Sequence, residues 1–236
     1  MNTKSAIIKR ELGAYFTGAV AYIVIGLFLL ISGFLFFNIF FLAQRAELRQ
    51  FFAILPILFA FFIPAVTMRL FAEERKSGSL ETLMTLPVSA IDAVIGKFAA
   101  ALIFTLVMLA PTLAYAVTAA FFGNLEIGPL VCGYIGAFFL SAAFCAAGLF
   151  ASASTANQIV AFFIAFAVCM LLALIDQFLL FLPGHIVGFL QYISASAHFT
   201  SIGRGIIDSR DLIYFVSVTA LFLTLTVKTV DSRRTA

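Results

Sequence analysis

The chain has 236 residues, of which 64% are hydrophobic and 11% charged, with a net charge of +3 and 30 phenylalanines. An ordinary soluble domain carries roughly 25% charged residues, and a soluble fold of this size has no interior large enough to hide so much apolar surface, so lipid is the expected solvent. The small net charge gives no support to nucleic-acid binding, and Cys132, Cys145 and Cys169 lie inside apolar runs without the paired spacing of a zinc site or the even count of a disulfide framework.

The first long run, Leu12 to Gln44, contains no charge. As one helix it would extend about 50 Å against a hydrocarbon core of about 30 Å, so it must divide. A division near Gly13–Gly18 leaves residues 3–16 as an amphipathic interfacial helix. Ile7, Ile8, Leu12, Tyr15 and Phe16 then face lipid or protein, and Lys4, Lys9 and Arg10, with Glu11 beside them, face headgroups. Residues 19–42 form the first span. No cleavable signal peptide is expected, because the apolar run is too long for one and lacks a small-residue cleavage site.

The second span is expected at about 50–71, bent by Pro56 and Pro64, and the third at 91–121 around Pro111, with Ser89 capping its start and Asp92 three residues on. Ile127 to Ile175 is again free of charge, and the polar insert ASASTANQ at 151–158 splits it into spans at 129–151 and 159–182. A stretch of mixed character, 185–210, precedes the last span at 211–228. The expected fold is an all-α integral membrane protein: one transmembrane domain over 1–236, with six spans and an interfacial helix.

Lys and Arg fall unevenly about these spans. With both termini in the cytoplasm, ten of the 14 lie inside (Lys4, Lys9, Arg10, Arg69, Arg75, Lys76, Lys97, Lys228, Arg233, Arg234) and four outside (Arg45, Arg49, Arg204, Arg210). This orientation puts FAEERKSGSLETLMTLPVS, residues 71–89, in the cytoplasm between spans two and three. EERKSGS reads as a charged turn. LETLMTL reads as a short amphipathic helix started by Gly78 or Ser79, with Glu81 in its first turn, Leu80, Leu83 and Met84 on one face, and Pro87 ending it. A connector needs only a few residues. A capped helix with an apolar stripe is better suited to docking a cytoplasmic partner than to plain connection.

EERKSGSLETLMTLPVS resembles the signature of ABC-2 transporter permeases, roughly E-x-x-x-G-(S/T)-x-E-x-L-x-x-x-P-(V/L)-(S/T), at Glu74, Gly78, Ser79, Glu81, Leu83, Pro87, Val88 and Ser89. The segment YISASAHFTSIGRGIIDSRD resembles the region before the last helix in the gliding-motility-type, GldF-like branch. The matching residues are Ser194, His198, Phe199, Ser201, Arg204, Gly205, Ile207, Asp208, Arg210 and Asp211. The resemblance implies a permease subunit working as a homo- or heterodimer with two copies of a separate ATPase, which would hold the ATP and Mg, in a bacterial inner membrane. A membrane-anchored accessory subunit is a further implied partner. Residues 71–89 would be the coupling segment, with Glu73, Glu74, Arg75, Lys76, Gly78, Ser79, Glu81, Leu83 and Pro87 facing the ATPase. Residues 3–16 would be the interfacial helix beside it, and 185–210 a re-entrant hairpin serving as an outer gate with His198, Phe199, Arg204 and Asp208.

The chain carries no phosphate-loop motif: VIGKF at 94–98 has Gly-Lys but neither the upstream glycine nor the following hydroxyl. No catalytic, cofactor or metal residues are expected in the chain itself, and His185 and His198 have no evident partners. Asp176 is the acid expected inside a span. It reads either as a near-interface carboxylate facing the bundle or as a partner of Arg204 or Arg210. The phenylalanines read as lipid-facing bulk, with a subunit interface or a lipophilic path as the other reading, and GLFASAS at 148–154 offers small residues for close helix packing. The competing functions are an ion-coupled carrier, which would need midplane charges and an internal repeat, and a membrane enzyme, which would need a polar cluster at the span ends.

Overall fold

Charge-free runs of the right length become long helices that bury the glycine- and alanine-rich face of one central helix. The computed structural model describes residues 3–43, 47–78, 89–123, 126–178, 184–206 and 208–232. Helix α1 (Thr3–Thr17) leads into α2 (Ala19–Ala43), followed by α3 (Arg49–Thr67) and α4 (Arg69–Lys76). Then come α5 (Ala90–Leu109), a 3-10 turn (Ala110–Thr112), α6 (Leu113–Phe122), α7 (Ile127–Ser154) and α8 (Gln158–Phe178). The described chain ends with α9 (Gly184–Ile193), α10 (Ala195–Gly203) and α11 (Ser209–Asp231). Among the described residues six stretches are long and apolar enough to cross a membrane: Ala19–Phe41, Arg49–Lys76, Ala90–Phe122, Ile127–Ser154, Gln158–Phe178 and Ser209–Asp231. The molecule is all-helical among its described residues.

Several local signals act as the sequence suggests. Ser89 Oγ accepts the Asp92 amide at 3.1 Å and starts α5. Pro111, which cannot donate an amide, turns the third span through the 3-10 segment, and Thr112 Oγ1 donates to Leu109 O at 2.6 Å there. Residues Thr155–Asn157 separate α7 from α8, and Asn157 Oδ1 accepts the Ile159 amide at 2.9 Å to begin α8.

Helix α7 is the packing centre, and its glycines set how closely its neighbours approach. A Cβ on Gly148 would lie 2.1 Å from Thr67 Oγ1 of α3, and one on Gly133 would lie 2.3 Å from the Phe52 ring. Both neighbours are buried. The small residues of GLFASAS thus seat α7 against the second span, as the sequence led us to expect.

The phenylalanines depart from the lipid-facing expectation. Among the described residues twelve are buried, including Phe28, Phe36, Phe51, Phe59, Phe104 and Phe144. Phe36 stacks on Tyr115 at 5.4 Å between ring centroids, and Tyr115 donates its hydroxyl to Leu29 O at 3.0 Å. Flat rings fill the space between helices that alanine-rich faces leave open. Lipid-facing rings such as Phe34, Phe121 and Phe163 remain, but they are a minority of the rings with a clear placement.

Candidate functional site: the polar end of the second span

The second span breaks at Met68, whose amide still reaches Pro64 O at 2.9 Å, and the chain resumes as α4. The amides of Phe71 and Ala72 there donate to Ser152 Oγ of α7, at 3.0 and 3.1 Å. Ser152 in turn donates to Met68 O at 2.8 Å. One fully buried hydroxyl therefore satisfies backbone groups that the break sets free, in a place that water does not reach. Arg75 reaches the same helix and donates from Nη1 to Ala153 O at 2.9 Å.

This arrangement corrects the expected charged turn. Glu73, Glu74, Arg75 and Lys76 are helical and belong to α4, with the two cations in its last turn, where they suit the carbonyl end of the helix. The chain turns only at Ser77–Gly78. Gly78 has φ 71°, a left-handed conformation that glycine adopts without strain and that ends the helix.

Helix α1 does more than lie beside the bundle. Tyr15 stacks on Phe104 at 4.8 Å and donates its hydroxyl to Val66 O at 2.9 Å. The Arg69 guanidinium sits 4.6 Å above the Tyr15 ring and reaches Ala14 O at 3.3 Å. Docking on these aromatic anchors places Arg10 and Glu11 beside α4 and α5, where four charges meet. Lys97 Nζ, on α5, is 1% exposed and donates to Glu11 Oε1 at 2.9 Å, to Leu70 O at 2.8 Å and to Glu74 Oε1 at 2.9 Å. Three ammonium protons thus meet three acceptors. Arg10 bridges the same two carboxylate oxygens at 2.6 and 2.7 Å. The four formal charges cancel, and each carboxylate is held by both cations. The Phe71 ring, 5.1 Å from Nζ, closes the remaining side.

Burial opposes ionisation of Glu11, but Lys97 and Arg10 outweigh it and hold the carboxyl below its ordinary value. Burial likewise opposes the charge on Arg10, and hydrogen bonding and attraction to Glu11 and Glu74 raise it overall. Because the folded-state value of Glu11 is depressed, its contribution to docking α1 is fully present above the ordinary value of 4.5 and is lost as the pH falls below it. The protection of α1 against amide exchange is therefore expected to fall on acidification through pH 4.5. Glu11→Gln is expected to lower that protection at neutral pH and to flatten its dependence on acid.

Of the residues singled out from sequence, Arg10, Glu11 and Glu74 converge here. Lys9, Glu73 and Lys76 are exposed. The side chain of Lys4 and all of Ser79, Glu81, Leu83 and Pro87 lie outside the described residues, as does the expected LETLMTL helix. Two residues central to the site, Lys97 and Ser152, were not among the candidates. Lys97 carried a readable signal, being the single charged residue between Asp92 and Glu126, and an ionisable group inside an apolar span is a functional candidate by default. Ser152 carried none beyond the small-residue run.

The opposite end of the bundle holds the remaining candidates. Residues 184–203 form two short helices, α9 and α10, joined at Ser194, whose Oγ accepts the Ala197 amide at 3.1 Å. Phe199 is buried against Phe52, with centroids 6.4 Å apart. Arg204 is exposed after the end of α10 and lines a cleft of about 460 Å³ with Arg49 and Thr200. Asp208 caps α11 by accepting the Arg210 amide at 3.0 Å. His198 does have a partner: its Nδ1 lies 2.6 Å from Asp211 Oδ1. Asp176 takes the bundle-facing reading. Its Oδ1 is buried without a hydrogen-bond partner, and no ion pair joins it to Arg204 or Arg210 among the described residues.

Comparison with known proteins adds one finding. Residues 21–230 match the family model described as ABC-2 family transporter protein. No curated protein matches the chain.

Proposed function

The chain belongs to the ABC-2 transporter family, and from that premise we propose that it is the membrane-spanning permease subunit of an ATP-driven transporter in a bacterial inner membrane, with both termini cytoplasmic. A separate ATPase subunit supplies the nucleotide site, ATP and Mg. Two ATPases serve a dimer formed with a second copy of this chain or with a related permease, and a GldF-like complex adds a membrane-anchored accessory subunit. The work done is movement of a substrate across the bilayer or a conformational task of the same kind.

The observation that carries this reading is the four-charge cluster at the end of α4. Helix α4 leads directly into residues 79–88, the segment whose sequence resembles a coupling helix. Force applied there enters a short rigid helix. Salt bridges tie that helix to α1 and α5, a hydroxyl ties it to α7, and the break at Met68 separates it from the rest of the second span. Exposed Glu73 and Lys76 lie on the same short helix and offer charges of both signs to a partner. An ion-coupled carrier draws no support from this cluster, which lies at one end of the bundle and not at its middle.

The test is co-purification with a candidate ATPase. Glu81→Lys reverses a charge expected at the docking surface, and Gly78→Pro removes the left-handed turn that directs the chain out of α4. Each is expected to lower the recovered ATPase by about tenfold, equivalent to about 1.4 kcal/mol of binding, while the permease stays inserted. An unchanged complex with both variants would count against the coupling role.

A further inference from the structure

We propose that His198 and Asp211 form a proton-binding site that latches the α9–α10 pair onto α11, at the end of the bundle opposite α1. Both ring nitrogens of His198 face acceptors: Nδ1 lies 2.6 Å from Asp211 Oδ1, and Nε2 lies 3.2 Å from Tyr192 O. A carbonyl oxygen only accepts, so Nε2 carries a proton. A carboxylate oxygen approaches Nδ1 this closely only with a second proton between them. Asp211 lies in the first turn of α11, where the helix end favours an anion, so the carboxylate keeps its charge and the ring is an imidazolium. Tyr214 stacks on that ring with centroids 4.2 Å apart, a placement that favours a cation. Tyr214 also donates its hydroxyl to Ile193 O at 2.6 Å, a second tie between α11 and the α9–α10 pair.

A neutral imidazole has one N–H and cannot serve both contacts. Loss of the proton therefore either breaks the link to Tyr192 O on α9 or sets a lone pair against the Asp211 carboxylate. The second outcome is costly here. The side chains are 13% and 9% exposed, and Asp211 Oδ2 is already buried without a hydrogen-bond partner among the described residues. The latch is accordingly tight while the proton is held and loosens as the pH rises and removes it. A cleft of about 430 Å³, lined by His198, Asp211, Ser201, Gln191, Asp208 and Arg210, gives the pair contact with solvent.

The charged and titratable groups around the pair are few. On α11 and its cap they are Asp208, Arg210 and Tyr214, and on α9 Tyr192 and, with its side chain outside the description, His185. Arg204 follows the end of α10. Asp176 comes from α8, Arg49 from α3, and Cys132, Tyr134 and Cys145 from α7, which Glu126 caps. Apart from the backbone carbonyls of Tyr192 and Asp208, which accept from His198 Nε2 and from the Asp211 amide, none of them makes a hydrogen bond or ion pair with His198 or Asp211 among the described residues.

The chain has two histidines, so in a His185→Gln variant the ring nitrogen spectrum reports His198 alone. In phospholipid nanodiscs at about pH 7.5, where a solvated histidine is mostly neutral, the ring is expected to give the two-proton imidazolium signature. Adding Asp211→Asn is expected to convert it to the neutral, one-proton form at the same pH. A neutral ring in the His185→Gln protein, or a ring indifferent to Asp211→Asn, would overturn the proposal. A second readout is amide exchange of residues 188–206 in the full chain, corrected for the intrinsic pH dependence of exchange. Protection is expected to be higher at low pH than at high pH in the parent and independent of pH in His198→Gln. The same pH dependence in both would contradict the latch.

Discussion

Lys97→Met is expected to destabilise the protein by roughly 3–5 kcal/mol, the usual cost of removing one partner from a buried ion pair. The methionine matches the length of the lysine stem, so it fills the space and isolates the electrostatic loss. What remains is a pair of carboxylates, Glu11 and Glu74, facing each other beside Arg10 without the buried ammonium between them, and Leu70 O without its donor at 2.8 Å. The loss is expected to fall on the docking of α1 first, because the cluster is its polar tie to α4 and α5. Thermal unfolding in detergent measures the total, and amide exchange along residues 3–17 locates it. The triple variant Lys97→Met, Glu11→Gln, Glu74→Gln removes the stranded charges and is expected to recover part of the stability. No recovery would mean that the cluster acts through packing rather than charge.

Gly148→Leu is expected to be the most damaging change in the bundle interior. Even the first atom of a side chain at this position would fall 2.1 Å from Thr67 Oγ1 and 3.0 Å from Thr67 Cβ. Thr67 has no room to withdraw: it is fully buried and its hydroxyl donates to Ile63 O at 2.9 Å. Overpacking of this kind costs about 1–3 kcal/mol or more, and here it also pushes α3 away from α7 near the Met68 break. Gly148→Ala is expected to be milder, and Thr67→Gly to rescue it, because deletion of the threonine side chain opens the space that the new methyl needs. Thermal midpoints of the single and double variants give the coupling directly. Additive losses would show that the two positions do not share a contact.

What was legible in the sequence was set by the length scale of each signal. The six spans follow from charge-free runs matched against the thickness of a bilayer, and the Ser89 cap and the Thr155–Asn157 turn follow from local chemistry. The Met68 break was not legible, since the hydroxyl that satisfies its backbone groups belongs to Ser152, 84 residues downstream in the chain. The charged site was half legible. Arg10, Glu11 and Glu74 stood out as charges beside apolar runs, but their meeting depends on the crossing of α1 over α5, which the Tyr15–Phe104 stack decides. The separation of 64 residues between Arg10 and Glu74 gives no local hint of a contact. Lys97 could have been found as a lone cation within an apolar span. His198 and Asp211 both belong to the motif before the last helix, yet their pairing depends on how α10 folds back onto α11.

The most direct test of the account is a cross-link between α4 and the ATPase. Lys76 is the exposed last residue of α4, so Lys76→Cys presents a thiol toward the proposed partner, while native Cys145 and Cys169 are buried. With a candidate ATPase carrying a single surface cysteine, a short bis-maleimide is expected to join the two proteins in membranes, with a yield that changes between nucleotide-free and ATP-bound conditions. A Lys76→Cys thiol that reacts only with reagent supplied from the side of the membrane away from ATP would contradict the account.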